Sequence, residues 1–158
     1  MAVGKSRVGR LLADRLNVSF RDTDAEIEAC FGKAVAAIFS EHGEAEFRRA
    51  ERLVIEDLVE QGPLVVSLGG GAFMDPRTRA LLQASATTVW LDPPFEIISA
   101  RLKRSISRPL AAGKSDEELF ALWQERRPSY AEAHLQIQTS DEDPALAVDR
   151  IVAALACR

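Results

Sequence analysis

The chain has 158 residues, which is enough for one domain with its own hydrophobic core. Its hydrophobic share of 47% and charged share of 28% are those of an ordinary globular protein. The formal net charge of −4 argues against a nucleic-acid-binding surface, because such surfaces oppose phosphates with clustered cations. Cys30 and Cys157 have neither a CxxC nor a zinc-ligand spacing, and no apolar run approaches the ~18 residues of a membrane span. We therefore expect a cytoplasmic protein that binds neither nucleic acid nor membrane.

Helix-like and strand-like segments alternate along the chain. The helix-like segments are predicted at 8–16, 25–31, 34–41, 44–60, 76–84, 94–103, 116–127 and 144–156. The strand-like segments are predicted at 19–21, 64–68, 87–91 and 135–138. Two of these strands are apolar runs typical of strands buried on both faces, so the alternation predicts a single α/β domain with a parallel sheet.

The first motif along the chain is Gly4-Lys5-Ser6, which matches the end of the phosphate-binding pattern Gly-x-x-x-x-Gly-Lys-Ser/Thr. Backbone N–H groups of such a loop wrap the nucleotide phosphates, while the lysine reaches the outer phosphates and the hydroxyl binds Mg²⁺. The first glycine of the pattern would fall two positions before Met1. Taken alone, the tripeptide is more typical of a glycine turn with a surface lysine before an ordinary helix.

Asp22-Thr23-Asp24 follows the first predicted strand, at the edge where open α/β sheets bind their ligands. One carboxylate could face a metal and the other a substrate hydroxyl. The alternative is that Asp22 or Thr23 only caps the next helix.

Arg48 lies on the predicted helix 44–60, beside Phe47. Its planar guanidinium suits a carboxylate ligand, and Phe47 could form the wall of a pocket. The alternative is a solvated charged face in which Arg48 pairs with Glu44, four residues earlier.

Gly69-Gly70-Gly71 directly follows an apolar strand. Three consecutive glycines remove side chains where the backbone must approach another group closely, so we favour a functional role over a plain turn.

Two arginine clusters complete the set. Arg108 lies in a polar loop over 105–115, and an arginine in a mobile loop can stabilise charge on a reacting phosphate. Arg126 and Arg127 end a predicted helix, where cations are also favoured by the helix dipole. His42 and His134 have no partner pattern and are interpreted as incidental.

Taken together and in this order, the motifs resemble those of the shikimate kinase family over essentially the whole chain from Gly4 onward. They are Gly-Lys-Ser, Asp-Thr-Asp, Gly-Glu-x-x-Phe-Arg, Gly-Gly-Gly, Arg-Pro-Leu and Arg-x-Pro-x-Tyr. The resemblance implies a nucleoside-monophosphate-kinase-like P-loop enzyme that uses ATP and Mg²⁺ to phosphorylate the 3-hydroxyl of shikimate.

The resemblance also implies roles for single residues. Ser6 and Asp22 look like the residues that hold Mg²⁺. The residues implied in catalysis are Lys5, Asp24 and Arg108. Those implied in shikimate binding are Asp24, Arg48, Gly69, Gly70, Gly71 and Arg126. Those implied in nucleotide binding are Gly4, Lys5, Ser6, Arg101, Arg108 and Pro144.

The architecture implied by the resemblance is a three-layer α/β fold with a five-stranded parallel sheet of order 2-3-1-4-5. It would form one domain over 1–158, with a substrate-binding helical region at about 25–60 and a lid at about 105–115. The first strand of that sheet would precede the phosphate loop, and we expect it to be missing from this chain. The resemblance further suggests a monomer.

Two alternatives to a shikimate kinase stay open from the residues. One is another small-metabolite kinase of the same superfamily, such as a gluconate kinase. The other is a catalytically inactive shikimate-kinase-like binding module. Arg48, Arg126 and the three glycines favour the shikimate kinase, because a carboxylate on a compact ring explains both arginines.

Overall fold

A computed structural model describes residues 3–104 and 115–157. Its helices are α1 (Lys5–Leu16), α2 (Thr23–Phe31), α3 (Val35–Glu60), α4 (Pro76–Ser85), α5 (Phe95–Arg104), α6 (Asp116–Tyr130) and α7 (Pro144–Ala156). Its strands are β1 (Ser19–Asp22), β2 (Leu64–Ser67), β3 (Val89–Asp92) and β4 (Leu135–Gln138). By their contacts the described residues divide into two units, one within 9–86 and one within 1–8 and 87–158.

The strands pair in parallel, as the alternation of helices and strands predicts. β1 pairs with β2 in one unit, and β3 pairs with β4 in the other. Each pair is connected through helices, because a parallel connection must return to the same end of the sheet. The α/β class with parallel strands is therefore confirmed.

The register of β1 and β2 brings two of the sequence motifs to one place. Asp22, the last residue of β1, lies opposite Ser67, the last residue of β2. Because parallel strands end at the same edge, Asp22-Thr23-Asp24 and Gly69-Gly70-Gly71 leave the sheet side by side. This register therefore brings the two motifs together at one end of the β1–β2 pair.

Several helix boundaries differ from those that the sequence predicts, and α1 begins at Lys5 rather than at residue 8. α2 begins at Thr23 rather than at residue 25, because the Asp22 carboxylate caps it by accepting a hydrogen bond from the Asp24 N–H at 3.1 Å. α6 continues past its predicted end at residue 127 and includes Pro128. The break predicted between 34–41 and 44–60 is present as a kink at Gly43, whose φ of 79° lies in the left-handed region that favours glycine.

A small apolar core holds α2 against α3. Ile27 and Ile38 are fully buried, and Phe47 is 2% exposed. The Phe39 and Phe47 rings pack with their centroids 4.5 Å apart. Burial of each such side chain contributes roughly 1.5–3 kcal/mol. The core therefore fixes the segment of α3 that carries the arginine of the Phe-Arg motif.

The other unit has its own apolar cluster. Ile98, Leu102 and Leu119 are buried where α5 meets α6. Val3 packs against this cluster directly before the Gly-Lys-Ser motif. Three aromatic rings extend the cluster, with Phe120 and Trp123 stacked at 5.4 Å and Phe95 at 5.0 Å from Phe120.

Candidate active site

Thr23 joins the two strand ends at the edge of the β1–β2 pair. Its side chain is fully buried. The hydroxyl donates to the Ser67 carbonyl at 3.4 Å and accepts from the Gly69 N–H at 2.8 Å. Thr23 therefore ties the start of α2 to the beginning of the glycine turn. From the sequence, Thr23 was considered only as a helix cap, so this tertiary role was missed.

Gly69 lies where two carboxylates converge. A Cβ atom placed on Gly69 would lie 2.6 Å from Glu51 Oε1 and 2.8 Å from Asp24 Oδ1. Distances below 3.0 Å are closer than real Cβ contacts, so a side chain here would displace one or both carboxylates. The glycine is therefore required here by the close approach of the two carboxylates.

Gly71 makes the same kind of close approach to Arg48. A Cβ atom on Gly71 would lie 2.6 Å from the guanidinium carbon of Arg48. The Gly71 φ of −102° is open to any residue, so the constraint comes from the neighbouring side chain alone. The predicted residues Asp24, Arg48, Gly69 and Gly71 thus lie together around one turn.

Arg48 is held from two sides. Its Nη1 donates to Glu51 Oε2 at 2.7 Å. Its Nε and Nη2 donate to Glu44 Oε1 at 3.3 Å and 3.2 Å. The Glu44 pair is the surface interaction that the sequence offered as an alternative, and the Glu51 pair is an additional, buried one. Because the Glu44 side chain is 63% exposed, that contact is worth little.

Glu51 is the residue that the sequence did not reveal as part of the site. It is 3% exposed, and its Oε1 has no hydrogen-bond partner within the described residues. Burial raises the pKa of Glu51 above its ordinary value, the Arg48 guanidinium opposes that rise, and the charge of Asp24 adds to it. A buried carboxylate of this kind costs stability unless a cation accompanies it.

A signal for Glu51 is nevertheless present in the sequence. Phe47, Ile55 and Leu58 are buried and follow the helical period on α3. Glu51 occupies the same face, four residues from both Phe47 and Ile55. A glutamate in an apolar helical stripe indicates a buried charge, and buried charges need a partner.

The Gly-Lys-Ser motif forms the start of α1. Gly4 has a φ of 83°, a left-handed conformation, and its carbonyl accepts from the Val8 N–H at 3.0 Å. Lys5 and Ser6 are therefore the first two residues of a helix, where the N–H groups and the dipole favour an anion. This is the placement that the predicted phosphate-binding role requires.

Arg101, on α5, contacts the loop between β4 and α7, and Pro144 follows that loop. Arg101 Nη2 donates to Asp141 Oδ1 at 2.9 Å and lies 3.4 Å from the Ser140 carbonyl oxygen. Pro144 is the first residue of α7, directly after Asp143, which caps that helix. The structure thus brings these two predicted nucleotide-side residues to the same segment.

The adjacent arginines at the end of α6 differ in their surroundings. Arg127 makes a two-bonded pair with the buried Asp92, a partner that the sequence did not indicate. Arg126, the predicted shikimate ligand, is half-buried. Arg108 and almost all of the predicted lid, 105–115, lie outside the described residues.

His134 is not incidental, so that interpretation was wrong. Its Nδ1 accepts a hydrogen bond from the Thr88 N–H at 3.1 Å, and its own backbone N–H donates to Thr88 Oγ1 at 2.9 Å. The side chain thereby joins the starts of β3 and β4. The sequence could not show this, because the two residues are distant along the chain and only the strand pairing brings them together.

The raised pKa of Glu51 generates a prediction for the pH dependence of stability. The folded chain binds the Glu51 proton more tightly than the unfolded chain, so the free energy of unfolding falls as pH rises from near 4.5 through the raised pKa. We expect the free energy of unfolding of Glu51→Gln to fall less over this pH range, because glutamine does not titrate. Urea unfolding measured from about pH 5 to about pH 8 checks this.

The matched control is Glu46→Gln. Glu46 lies on the same helix, but its side chain is 45% exposed and pairs with the exposed Arg49. This variant should keep the pH slope of the parent. If the curves of the parent and of Glu51→Gln were parallel across the whole range, Glu51 would not titrate as its burial requires.

Comparison with known proteins places the chain in a family. The family model described as "Shikimate kinase" matches residues 1–156. A shikimate kinase of Caulobacter vibrioides is 44% identical over 156 residues, which are 98% of this chain and 78% of the relative. One from Paramagnetospirillum magneticum is 42% identical over 159 residues, covering 98% of this chain and 80% of the relative.

Solved structures give the same result. Shikimate kinase from Acinetobacter baumannii, determined in complex with shikimate, matches with a TM-score of 0.95 and 33% identity, over 99% of this chain and 89% of the other. The Aquifex aeolicus enzyme matches with a TM-score of 0.88 and 36% identity, over 99% and 92%. With its motifs, its α/β P-loop kinase fold and these relatives in agreement, the chain belongs to the shikimate kinase family.

Proposed function

We propose that this chain transfers the γ-phosphoryl group of ATP to the 3-hydroxyl of shikimate. The observation that carries the proposal is the arrangement around the glycine turn. A guanidinium held by a buried glutamate lies over Gly71, and the Asp24 carboxylate lies over Gly69. A substrate that carries a carboxylate and hydroxyls on one small ring needs a cation for its carboxylate and a protein carboxylate for a hydroxyl. Both must lie within the length of a single turn, as Arg48 and Asp24 do here.

The carboxylate of shikimate would bind the edge of Arg48 formed by Nε and Nη2. That edge now faces the exposed carboxylate of Glu44, which a substrate carboxylate would replace at small cost. The opposite side of the guanidinium would stay with Glu51. Gly69, Gly70 and Gly71 would line the pocket, and Arg126 would be a second cation for the carboxylate, a role that follows from the motif match alone.

Asp24 would orient the reacting hydroxyl and accept its proton. A general base must lie within hydrogen-bond reach of the proton that it takes. The cap that Asp22 forms on the Asp24 N–H fixes the backbone of Asp24 at the start of α2. Phosphoryl transfer asks the protein mainly for position and charge stabilisation, so a fixed carboxylate suits the task.

The nucleotide would be held by the start of α1 and by residues beside the loop between β4 and α7. Gly4, Lys5 and Ser6 would bind its phosphates at the N-terminus of α1, and Arg101 and Pro144 would contact its adenine. Arg108, which lies outside the described residues, would contribute charge to the reacting phosphate. Mg²⁺, which neutralises phosphate charge when bound, would be held by oxygens of Ser6 and Asp22.

The donor set fits that metal. A hydroxyl and a carboxylate are hard oxygen ligands, which Mg²⁺ prefers. The described residues contain no group of three or more His, Cys, Asp or Glu side chains arranged to hold a metal ion. Mg²⁺ is commonly bound by one or two protein oxygens together with substrate phosphates, so no such cluster is needed.

We also propose the finer architecture that the family resemblance implies. The β1–β2 and β3–β4 pairs would be the outer pairs of a five-stranded sheet of order 2-3-1-4-5, within one kinase domain whose substrate-binding region spans about 25–60. Their parallel pairing and chain order support this.

Among the described residues no helix is both long and apolar enough to cross a membrane. We propose a cytoplasmic monomer, in keeping with the two unpaired cysteines.

The choice of acceptor tests the proposed function. A coupled assay of ADP release with MgATP should show turnover with shikimate and none with gluconate or CMP. The reason is that only shikimate presents a ring carboxylate to Arg48 and a hydroxyl to Asp24. Turnover on gluconate alone would contradict the proposal. Binding of shikimate by calorimetry without turnover on any acceptor would establish the inactive binding module instead.

The glycine turn provides a second test through two matched variants. Gly71→Ala should displace the Arg48 guanidinium from its contact with Glu51, which should raise the KM for shikimate roughly 10- to 100-fold and also lower the unfolding midpoint. Gly69→Ala would meet the short Asp24 side chain and the buried Glu51, so it should lower both activity and the unfolding midpoint.

The KM for ATP serves as the internal control for Gly71→Ala, because Gly4 and Lys5 lie in the other unit. It should stay within about twofold of the parent value. If Gly71→Ala left the KM for shikimate unchanged, the turn would not be the substrate site.

A further inference from the structure

Asp92 and Arg127 form a second buried charge cluster that the proposed function does not use. Asp92 is the last residue of β3 and is 4% exposed. Its Oδ1 accepts from Arg127 Nη1 at 2.8 Å, and its Oδ2 accepts from Arg127 Nη2 at 3.1 Å. Gln136 and Gln138 of β4 also donate to Oδ2, at 2.8 Å and 3.1 Å. The carboxylate is therefore fully hydrogen-bonded and the guanidinium is bound through its fork.

Aromatic rings fix the same guanidinium further. The guanidinium carbon of Arg127 lies 4.9 Å from the ring centroid of Trp90 on β3 and 4.6 Å from that of Trp123 on α6. Cation–π contacts and a two-bonded carboxylate together define both the position and the plane of the guanidinium. Arg127 is thus anchored to β3 more firmly than an ordinary cation at a helix end.

α6 needs such an anchor at this end. Leu119, in its first turn, is the one fully buried residue of α6. Pro128 has no N–H, so the carbonyl of Gln124 receives no helical hydrogen bond from it. The last turn therefore lacks one backbone hydrogen bond. It is attached to β3 by the Arg127–Asp92 pair and by the Tyr130 ring, whose centroid lies 6.1 Å from that of Trp90.

Attachment of residue 127 also determines the direction of residue 126. Successive side chains on a helix are about 100° apart around its axis. Because the contact with Asp92 fixes how far α6 is rotated about that axis and shifted along it at Arg127, it also fixes the direction in which the Arg126 side chain leaves the helix. We propose that Asp92 and Arg127 are positioning residues for Arg126. This inference rests on the proposed function, which assigns Arg126 to the substrate carboxylate.

The test compares Arg127→Gln, Arg126→Ala and the double variant in steady-state assays. Arg126→Ala should raise the KM for shikimate, because the substrate loses a cation. Arg127→Gln should raise the same KM roughly tenfold, with the KM for ATP unchanged and kcat affected less. The double variant should be no worse than Arg126→Ala alone, because Arg127 acts through Arg126.

Arg49→Gln is the matched control. Arg49 also follows a predicted substrate arginine directly, but its side chain is 67% exposed and pairs at 3.5 Å with Glu46. This variant should leave both KM values unchanged. If Arg127→Gln does not fold, Arg127→Lys replaces it, since lysine keeps the charge without the fork, and Asp92→Asn tests the same pair from the other side.

The outcomes separate the inference from the proposed function. A raised KM for shikimate in Arg126→Ala but not in Arg127→Gln would overturn the inference and leave the function intact. Additive effects in the double variant, or equal losses for shikimate and ATP, would also overturn it, because they indicate general destabilisation. An unchanged KM in Arg126→Ala would refute the assignment of Arg126, and the positioning role with it.

Discussion

The buried ion pair between Arg48 and Glu51 is the interaction on which the proposed substrate site of this protein depends. Their contact is 2.7 Å, and the glutamate is almost completely excluded from water. Removing a partner from such a pair leaves an uncompensated charge, which costs about 3–5 kcal/mol. Arg48 therefore cannot turn away to solvent freely. The guanidinium is fixed before any ligand arrives, which spares the substrate the cost of ordering it.

The glycine turn follows from that pair. The chain leaving β2 passes so close to Arg48, Glu51 and Asp24 that side chains at 69 and 71 would collide with them. Thr23 maintains this closeness through its two hydrogen bonds to the chain around β2. Arg48 and Asp24, which we propose to bind the substrate carboxylate and hydroxyl, thus lie around one turn because the parallel register of β1 and β2 places their motifs together.

The second unit repeats the same principle with different residues. Asp92 is buried at the end of β3 and is compensated by Arg127, as Glu51 is compensated by Arg48. In each case an arginine on a helix is paired with a buried carboxylate. The difference is that Arg48 keeps one edge toward an exposed glutamate, whereas Arg127 uses its fork for the protein itself. Arg127 is therefore a structural residue, whereas the adjacent Arg126 is the one that we propose for the substrate.

Much of the fold was predictable from the sequence because it depends on local patterns. Strand positions, parallel pairing, the break at Gly43 and the close approach at the glycines follow from periodicity and from residue type. The family prediction, which rests on the order of the motifs, is confirmed. The roles of Thr23, Glu51, Arg127 and His134 were not predicted, because each depends on a partner that only the tertiary pairing supplies. Of these, Glu51 alone left a sequence signal, as a charge within an apolar helical stripe.

A crystal structure of the protein with shikimate and without nucleotide tests the central claim most directly. The account predicts that Arg48 keeps its contact with Glu51 near 2.7 Å and exchanges Glu44 for the shikimate carboxylate. It also predicts a shikimate hydroxyl within hydrogen-bond distance of Asp24. A complex in which Arg48 has left Glu51, or in which the carboxylate binds away from Arg48, would contradict a site preformed by the buried ion pair.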